Sequence, residues 1–470
     1  MSNEELHNQR LNRYSTAMRG GMPDRVPIRP FVAEFCAKYA GMTCQQVTHD
    51  YNQAYEAVIR TAAGFDWDAM VMNMVWVWTG LTQAMGLKYY AIPGIDIGAD
   101  VGFQYREPPE EDAFMRPDEY DRLIEDPTEF LLNVWLPRVA LPLAAPGKPV
   151  TTEHNLSLLK GGMAMMQYFG SIGGQVQRMR DETGTVSAIA GILKAPMDIL
   201  ADKLRGYFGL LSDLETQPDK VLAACEALAP HLHAVALASS DPSGTVPIGF
   251  WMHRSCVPLV RPADFSNIYW PTLRPIIEEL WRHGRQTLFY AEGNWDYHLD
   301  DFAQLPQHSI VFHMDQADPA KTAAKLGGRF ALSGGVPNVM LSFGTPEQVR
   351  AKCRELIETC GRDGAFIMDA SAIVQNDAKI ECLQAMTDAT LEFGGYSRGR
   401  STPPPARKPP PDSVAPVGRA GRTPAGQCIP WDHSQQDWPP VTGDPALARE
   451  VWNQLDGLAN MYVWHVLVSF

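Results

Sequence analysis

The sequence predicts an α/β fold, a (β/α)8 TIM-type barrel with a Pro-rich C-terminal extension, on three observations. The short apolar runs are continuous rather than alternating, which is typical of parallel strands covered on both faces. Single amphipathic helices separate these runs, which predicts right-handed βαβ units over about 390 residues. The main alternative, an open doubly wound sheet, usually carries a Gly-rich dinucleotide loop after its first strand, and no such NAD or nucleotide motif occurs here.

Six apolar runs are the predicted strands, and four amphipathic stretches are the clearest predicted helices. The predicted strands are 69–78, 245–252, 287–292, 309–315, 330–336 and 365–370. The predicted helices are 262–284, 318–328, 345–361 and 445–470. The third helix shows the reason most directly, because Thr345 and Gln348 form a capping-box pattern at its start and Gly361 follows its end.

The composition changes after Tyr396, where a stretch dense in Pro, Gly and Arg begins. Such a segment cannot bury a core, so it predicts an extended linker or arm. The domain prediction is a barrel over 1–396, a linker over 397–444 and a docking helix over 445–470. The final helix is apolar enough to require a docking surface. That surface belongs either to the same domain or to a second subunit across an interface.

Composition and charge exclude several classes of protein. The 470 residues are 45% hydrophobic and 20% charged, which is ordinary for a globular chain. The net charge of −14, without a basic cluster, argues against nucleic-acid binding. The N-terminal residues lack an apolar signal segment, and no run of 18 apolar residues would span a membrane. The expected location is therefore the cytoplasm, with the eight cysteines as reduced thiols.

Carboxylates and histidines follow several predicted strands, and active sites of such barrels lie at the C-terminal strand ends. Glu292 follows the strand at 287–292, and an unpaired carboxylate at an apolar strand end is costly, so Glu292 is the leading candidate. The other candidates near strand ends are His253, Cys256, His298, His313, Asp315 and Asp369. The set predicts either a metal site suited to Zn²⁺ or another divalent ion, or an acid/base constellation. The alternative for each is a structural role, such as a hydrogen-bonded core histidine or a helix cap.

Specific roles are assigned within this set. Glu292, His298 and Asp315 are the predicted catalytic residues, and Glu292, His313 and Asp369 are the predicted metal ligands. The predicted substrate-binding residues are Arg29, Asn73, Trp76, Trp78, His154 and His253. The two tryptophans suit either the barrel core or an aromatic wall of a ligand site. Four further histidines, His231, His233, His283 and His308, are expected on the surface.

Several phrases resemble the uroporphyrinogen decarboxylase-like superfamily over about 390 residues. They are NRYSTAMRGGMPDRVPIRP (12–30), MRPDEYDRLIEDP (115–127), LKAPMDILADKLRGYFGLLSDLETQPDKV (193–221) and KLGGRFALSGGVPNVMLSFGTPEQV (325–349). The last is the most specific. The resemblance implies a (β/α)8 barrel, often a dimer, which agrees with the element order obtained separately.

The superfamily contains two chemistries, cofactor-free porphyrinogen decarboxylation and methyl transfer involving a corrinoid or thiol, usually with zinc. The decarboxylases carry a motif like RPVWxMRQAGRY; here Arg29 is present, but the second arginine and the QAGRY phrase are absent. Porphyrinogen decarboxylation is therefore disfavoured, because eight carboxylates need cationic clamps. The zinc enzymes carry HxCG and a later Cys, and those positions fall here on Tyr290, Glu292 and Ser371.

The favoured hypothesis is a methyltransferase or demethylase. It would take a methyl group from an O- or N-methylated small molecule to a corrinoid on a separate protein, or to tetrahydrofolate. A homodimer with the C-terminal arm at its interface is expected. The first alternative is a metal-independent decarboxylase or lyase of a small carboxylic acid, for which Arg29 would be an anchor. The second is a non-catalytic barrel that binds a small molecule or a partner protein.

Overall fold

The computed structural model describes residues 1–71, 77–252, 256, 258–396, 415–419, 421–437 and 439–469. Its strands are β1 (Ala69–Met70), β2 (Tyr90–Ala91), β3 (Gln104–Tyr105), β4 (Val186–Ser187), β5 (Ile192–Lys194), β6 (Ile248–Met252), β7 (Thr287–Ala291), β8 (Ile310–Met314), β9 (Ala331–Gly334) and β10 (Phe366–Ile367).

The helices follow the same numbering along the chain. The first ten are α1 (Asn3–Met18), α2 (Phe35–Ala40), α3 (Cys44–His49), α4 (Tyr51–Gly64), α5 (Thr79–Ala84), α6 (Tyr120–Glu125), α7 (Pro127–Phe130), α8 (Leu136–Val139), α9 (Thr152–Thr183) and α10 (Pro196–Ile199). The remainder are α11 (Tyr207–Thr216), α12 (Pro218–Ser239), α13 (Pro262–Asp264), α14 (Trp270–Arg282), α15 (Leu299–Phe302), α16 (Pro319–Leu326), α17 (Asn338–Phe343), α18 (Pro346–Cys360), α19 (Ile380–Phe393), α20 (Trp431–Ser434) and α21 (Pro445–Ser469). π-helical turns lie at Leu131–Trp135, Leu200–Leu204 and Phe265–Tyr269.

The strands close into a ring of eight parallel segments. Strands β5 to β10 form one six-stranded sheet in sequence order, and β1 pairs with β4. The segment 186–194 carries both β4 and β5 and so joins the pair to the sheet. The ring closes through the segment 26–32, which bridges Met368 in parallel and accepts a backbone hydrogen bond at Ile28 from Asp68. The predicted (β/α)8 barrel is therefore confirmed.

Side chains of alternating residues fill the inside of the barrel in layers, because successive strand residues face opposite sides. On β7, Leu288 and Tyr290 belong to the interior cluster, and Glu292 follows in the same register at the strand end. On β8 the same alternation takes Val311, His313 and then Asp315. Period-two alternation therefore aims the strand-end carboxylates toward the C-terminal rim.

Helix α1 covers the opposite, N-terminal end of the barrel. Tyr14, Ala17 and Met18 are buried in the interior cluster. The Tyr14 hydroxyl donates to the Ala188 carbonyl at 3.0 Å, and the Gln286 amide donates to the Met18 carbonyl at 2.8 Å. This end of the barrel is therefore packed with side chains.

The observed strands are shorter than the apolar runs that predicted them: β7 and β9 end before their runs do, and β6 begins three residues after the start of its run. The run at 69–78 contributes only β1, and residues 72–76 lie outside the described residues. The predicted helices are present, and the stretch 262–284 is divided into α13, a π-helical turn and α14. The sequence reading missed the strand segment 186–194 and the long helix α9.

The last helix, α21, packs back on its own chain, against α9, α12 and β5. His231 was expected on the surface, and this was wrong. It is 2% exposed, and its ring stacks on Trp464 of α21 with centroids 4.5 Å apart. The apolar end of α21 covers the imidazole and supplies its partner ring.

Helix α12 is, in the described chain, the one helix long and apolar enough to cross a membrane by length and composition. It packs against α6, α14 and β5 as one of the barrel helices. All eight cysteines are free, and seven of them are buried.

Candidate active site

A cavity of about 220 Å³ lies at the C-terminal rim of the barrel. Its polar lining includes Glu292 after β7, Lys194 at the end of β5, and Asp202 and Lys203 in the π-helical turn that follows. Its apolar lining is Ala33, Val77, Ile192, Trp251, Ile373 and Val468. Its remaining lining residues are Tyr90, Phe103, Tyr105 and Gln375. Ligand sites commonly enclose roughly 300–1,000 Å³, so this cavity suits a small molecule rather than a tetrapyrrole.

The short hairpin of β2 and β3 brings aromatic rings over this cavity. Tyr90 and Tyr105 pair across the two strands with ring centroids 6.2 Å apart. Tyr90 also meets Phe103 edge-on, with centroids 5.4 Å apart. The hairpin is tied to the barrel side of the cavity because the Tyr105 hydroxyl donates to the Asp202 carbonyl.

Two lysines line the cavity, and the sequence reading missed both. Lys194 pairs with Asp202 at 2.8 Å. Lys203 is 1% exposed, lies 4.3 Å from the Tyr89 ring centroid, and donates to the Tyr90 hydroxyl at 3.2 Å. Burial, with the charge of Lys194 nearby, lowers the pKa of Lys203 well below its usual value. A single sequence gives little signal for this site, because its parts lie about a hundred residues apart.

Glu292 lines the cavity, as its place at a strand end predicts. The turn after it is fixed by Asp315, whose carboxylate accepts from the Gly293 amide at 2.8 Å. Gly293 has φ of 88°, a conformation that suits glycine. Burial raises the pKa of Asp315. In the described structure Asp315 holds the turn that carries Glu292.

A second polar cluster lies inside the barrel and contains Arg29, His313 and Asp369, all fully buried. The Arg29 guanidinium lies 3.2 Å from the Asp369 carboxylate and donates a 3.0 Å hydrogen bond to the Ser333 hydroxyl. Asp369 also accepts from the Phe31 amide at 3.1 Å. Burial raises the pKa of Asp369 to about 7, and the nearby Arg29 charge opposes that rise.

The two ring nitrogens of His313 both have partners. One is 3.0 Å from the Ser371 carbonyl, to which it donates, and the other is 3.1 Å from the Ser333 hydroxyl. The ring stacks on Tyr290 with centroids 3.9 Å apart. Burial lowers the pKa of His313 well below its usual value, so the imidazole is neutral.

The predicted zinc ligands Glu292, His313 and Asp369 do not fit a zinc ion in the described structure. Both His313 nitrogens are engaged, and Asp369 faces the guanidinium of Arg29, where a metal cation would be repelled. Among the described His, Cys, Asp and Glu side chains, no group of three or more is placed to hold a metal.

The other candidates lie in different surroundings. His298 is buried and stacks on Phe265 with centroids 3.6 Å apart, in the helical layer rather than among the residues that line the cavity. Trp78 donates from its indole to the His49 carbonyl at 2.9 Å. His154 belongs to the capping box of α9 and lines a separate groove of about 660 Å³. Asn73, Trp76 and His253 lie outside the described residues.

Comparisons with known proteins give a family match and a distant structural likeness. A family model described as uroporphyrinogen decarboxylase (URO-D) matches residues 143–393, which is more than half of the chain. No curated protein matches. A solved structure described as a methyltransferase from Methanosarcina mazei aligns with a TM-score of 0.49 and 14% sequence identity. The alignment covers 82% of this chain and 98% of that one. This likeness is too low to transfer an activity.

The family match rests on the same region as the resemblance at 193–221 and 325–349, and the closed ring of eight parallel segments is the fold which that resemblance implies. The chain belongs to the uroporphyrinogen decarboxylase family.

Proposed function

We propose that the protein is a methyltransferase or demethylase that acts on a small methylated molecule carrying an anionic group. The observation that carries this proposal is the rim cavity, where two carboxylates, two lysines and apolar walls share about 220 Å³, and where Lys194 pairs with Asp202. A carboxylate of the substrate would favour the ammonium form of Lys203 and could share Lys194 with Asp202, and the walls suit an aromatic or alkyl body. A methoxybenzoate is a representative substrate of this class.

In the proposed reaction the bond between the methyl carbon and its heteroatom breaks. The methyl group passes to a nucleophilic acceptor, and the leaving heteroatom keeps the electron pair and gains a proton. Glu292 would supply that proton as a general acid, in place of the electrophilic metal that related chemistry uses. Lys194 and Lys203 would hold the anionic group and so orient the methyl group. The acceptor would be a corrinoid delivered by a separate protein, or tetrahydrofolate.

A second candidate, decarboxylation of a small carboxylic acid, is favoured by the lysine pair. A carboxylate held by Lys194 and Lys203 could instead be the group that is lost, with a proton from Glu292 replacing it at carbon. The two functions differ in their products and in their need for an acceptor.

The test uses 4-methoxybenzoate with cob(I)alamin or tetrahydrofolate. Methyl transfer gives 4-hydroxybenzoate and a methylated acceptor, whereas decarboxylation gives anisole and carbon dioxide without an acceptor. Binding without either product would instead support a non-catalytic barrel. Absence of binding across a panel of methoxylated benzoates would contradict the proposed substrate class.

The Glu292→Gln variant tests the acid. We expect its rate to fall by roughly 10²–10⁴-fold, because general acid catalysis contributes factors of that size. Product formation by chromatography is the measurement, with Glu355→Gln on the exposed face of α18 as the matched control. A Glu292→Gln variant that kept its full rate would rule out this role.

We also propose a homodimer. The long helix α9 exposes Leu156, Leu159, Met163 and Met166, spaced by three and four residues as in a coiled-coil seam. A second copy of the same helix fits such a seam, since the pattern is self-complementary. The molar mass from light scattering decides between one and two chains.

A further inference from the structure

The C-terminal helix reaches the rim cavity, although it lies outside the region that matches the family. That region ends at residue 393, whereas α21 spans Pro445–Ser469. Val468, in the last turn of α21, is 4% exposed and lines the cavity together with Ile192 of β5 and Trp251 of β6. Part of the cavity wall is therefore supplied by a segment that the family match does not include.

Packing holds this wall in place. Trp464 is fully buried, stacks on His231 and donates to the Thr128 hydroxyl at 3.3 Å. Trp464 lies one helical turn before Val468. Its contacts restrict both rotation of α21 about its axis and translation of α21 along the barrel surface, because the stacked ring and the hydrogen bond would both be lost. Val463 on the same helix is 1% exposed and is not among the residues that line the cavity.

The preceding arm fastens the helix a second time. The Asp456 carboxylate accepts from the Cys428 amide at 2.9 Å and from the Ile429 amide at 2.7 Å. The Asn460 amide donates to the Gln427 carbonyl at 2.8 Å. The segment 427–429 and α21 thus form one unit that is attached to the barrel through its buried end.

We propose that Val468 is a specificity-determining residue, whose side chain sets how large a group the rim cavity accepts. The reason is geometric: a branched apolar side chain stands at the wall of a cavity of only about 220 Å³, so small changes in its volume are a large share of the space. The substrate class named in the test rests on the proposed function, whereas the placement of Val468 at the wall does not.

The test compares Val468→Ala, Val468→Phe and the control Val463→Ala, with 4-methoxy-, 4-ethoxy- and 4-propoxybenzoate as probes in titration calorimetry. Val468→Ala is expected to improve the affinity for the propoxy compound, relative to the methoxy compound, by at least fivefold. Val468→Phe should weaken binding of all three. Val463→Ala should leave the ratio unchanged within twofold, because it removes the same atoms away from the cavity. Equal ratios in the two alanine variants would overturn the proposal.

A second measurement does not depend on the ligand. Val468→Cys and Val463→Cys are treated with methyl methanethiosulfonate, and the modified peptides are identified by mass spectrometry. Cys at 468 should react at least tenfold faster than Cys at 463, since only the former faces a cavity. If the wild type binds none of the benzoates, the proposed substrate class fails while this rate ratio still decides the placement. Equal rates at the two positions would overturn it.

Discussion

Two clusters of ionisable side chains lie one above the other in the barrel, and their surroundings differ. In the interior cluster, Arg29, His313 and Asp369 are fully buried and contact one another or Ser333. In the rim cluster, Glu292, Lys194, Asp202 and Lys203 line a cavity, and Lys194 pairs with Asp202. Burial of titratable groups therefore does not by itself mark a catalytic site. Charged groups closed off from any cavity can contact only the protein, whereas charged groups that line a cavity, paired or not, can meet a ligand.

The largest effect is expected from Arg29→Met, which breaks the interior cluster. The variant leaves the Asp369 carboxylate buried without its ion-pair partner, and such changes cost about 3–5 kcal/mol of the free energy of unfolding. Urea unfolding is the measurement.

The matched control for this prediction is the double variant Arg29→Met/Asp369→Leu, which removes both charges and should recover most of the loss. A stable Arg29→Met variant with strongly reduced activity would instead place Arg29 in the catalytic machinery, as an anchor for a substrate anion.

An intermediate effect is expected at Glu34, which lies beside the rim at the end of the segment 26–32. Glu34 is 1% exposed, and one of its carboxylate oxygens has no hydrogen-bond partner among the described residues. Burial raises its pKa from 4.5 to about 7. Between pH 4.5 and 7, Glu34 therefore keeps its proton in the folded state and releases it in the unfolded state. The resulting stabilisation is complete below pH 4.5 and is lost as the pH rises through 7.

Glu34→Gln cannot ionise and should lack this loss. Between pH 4.5 and 7 the free energy of unfolding of the wild type should fall, relative to the variant, by up to about 3 kcal/mol, and the difference should stay level above pH 7. Urea unfolding at pH 5, 6, 7 and 8 measures it, with Glu355→Gln as the exposed control. A difference that does not change with pH would contradict the buried, protonated carboxyl.

The smallest effect is expected from Lys203→Met in the rim cluster. The carboxylate of a bound substrate would favour the ammonium form of Lys203. The lysine should therefore strengthen substrate binding more than it speeds the reaction. We expect KM for 4-methoxybenzoate to rise about tenfold, or about 1.4 kcal/mol, with kcat changed by less than threefold. Steady-state kinetics measure this, and Lys220→Met at a surface ion pair is the control. A fall in kcat with unchanged KM would indicate proton transfer by Lys203.

The fold was predictable wherever strands are long apolar runs. Strands β6 to β9 are four or five residues of continuously buried chain, so their runs stand out. The first barrel segment contains Pro27 and Pro30, and it forms isolated bridges rather than a regular strand, so periodicity gives it no signal. The segment 186–194 was missed because its strands are only two and three residues long and have Gly191 between them.

The site was predictable only where strand-end position determines it. Period-two alternation placed Glu292 at the rim and put His313 of β8 and Asp369 after β10 on the inside of the barrel, but it did not reveal that these two lie one layer deeper, next to Arg29. Lys203 and Tyr90 could not be connected from the sequence, because the hairpin that joins them depends on tertiary packing. The domain boundaries at 396 and 444 stay predictions. The homodimer and the separate corrinoid protein stay predictions as well.

Helix α1, which covers the N-terminal end of the barrel, has a consequence for the order of binding. With Tyr14 and Met18 packed into the lower end of the barrel, the donor, acceptor and product of the proposed reaction would all use the opening at the upper rim. A large acceptor protein bound over that opening would keep a substrate or product inside the cavity. If the proposed function holds, we expect a compulsory order of binding, in which the methyl donor binds before the acceptor docks and the demethylated product leaves only after the acceptor departs.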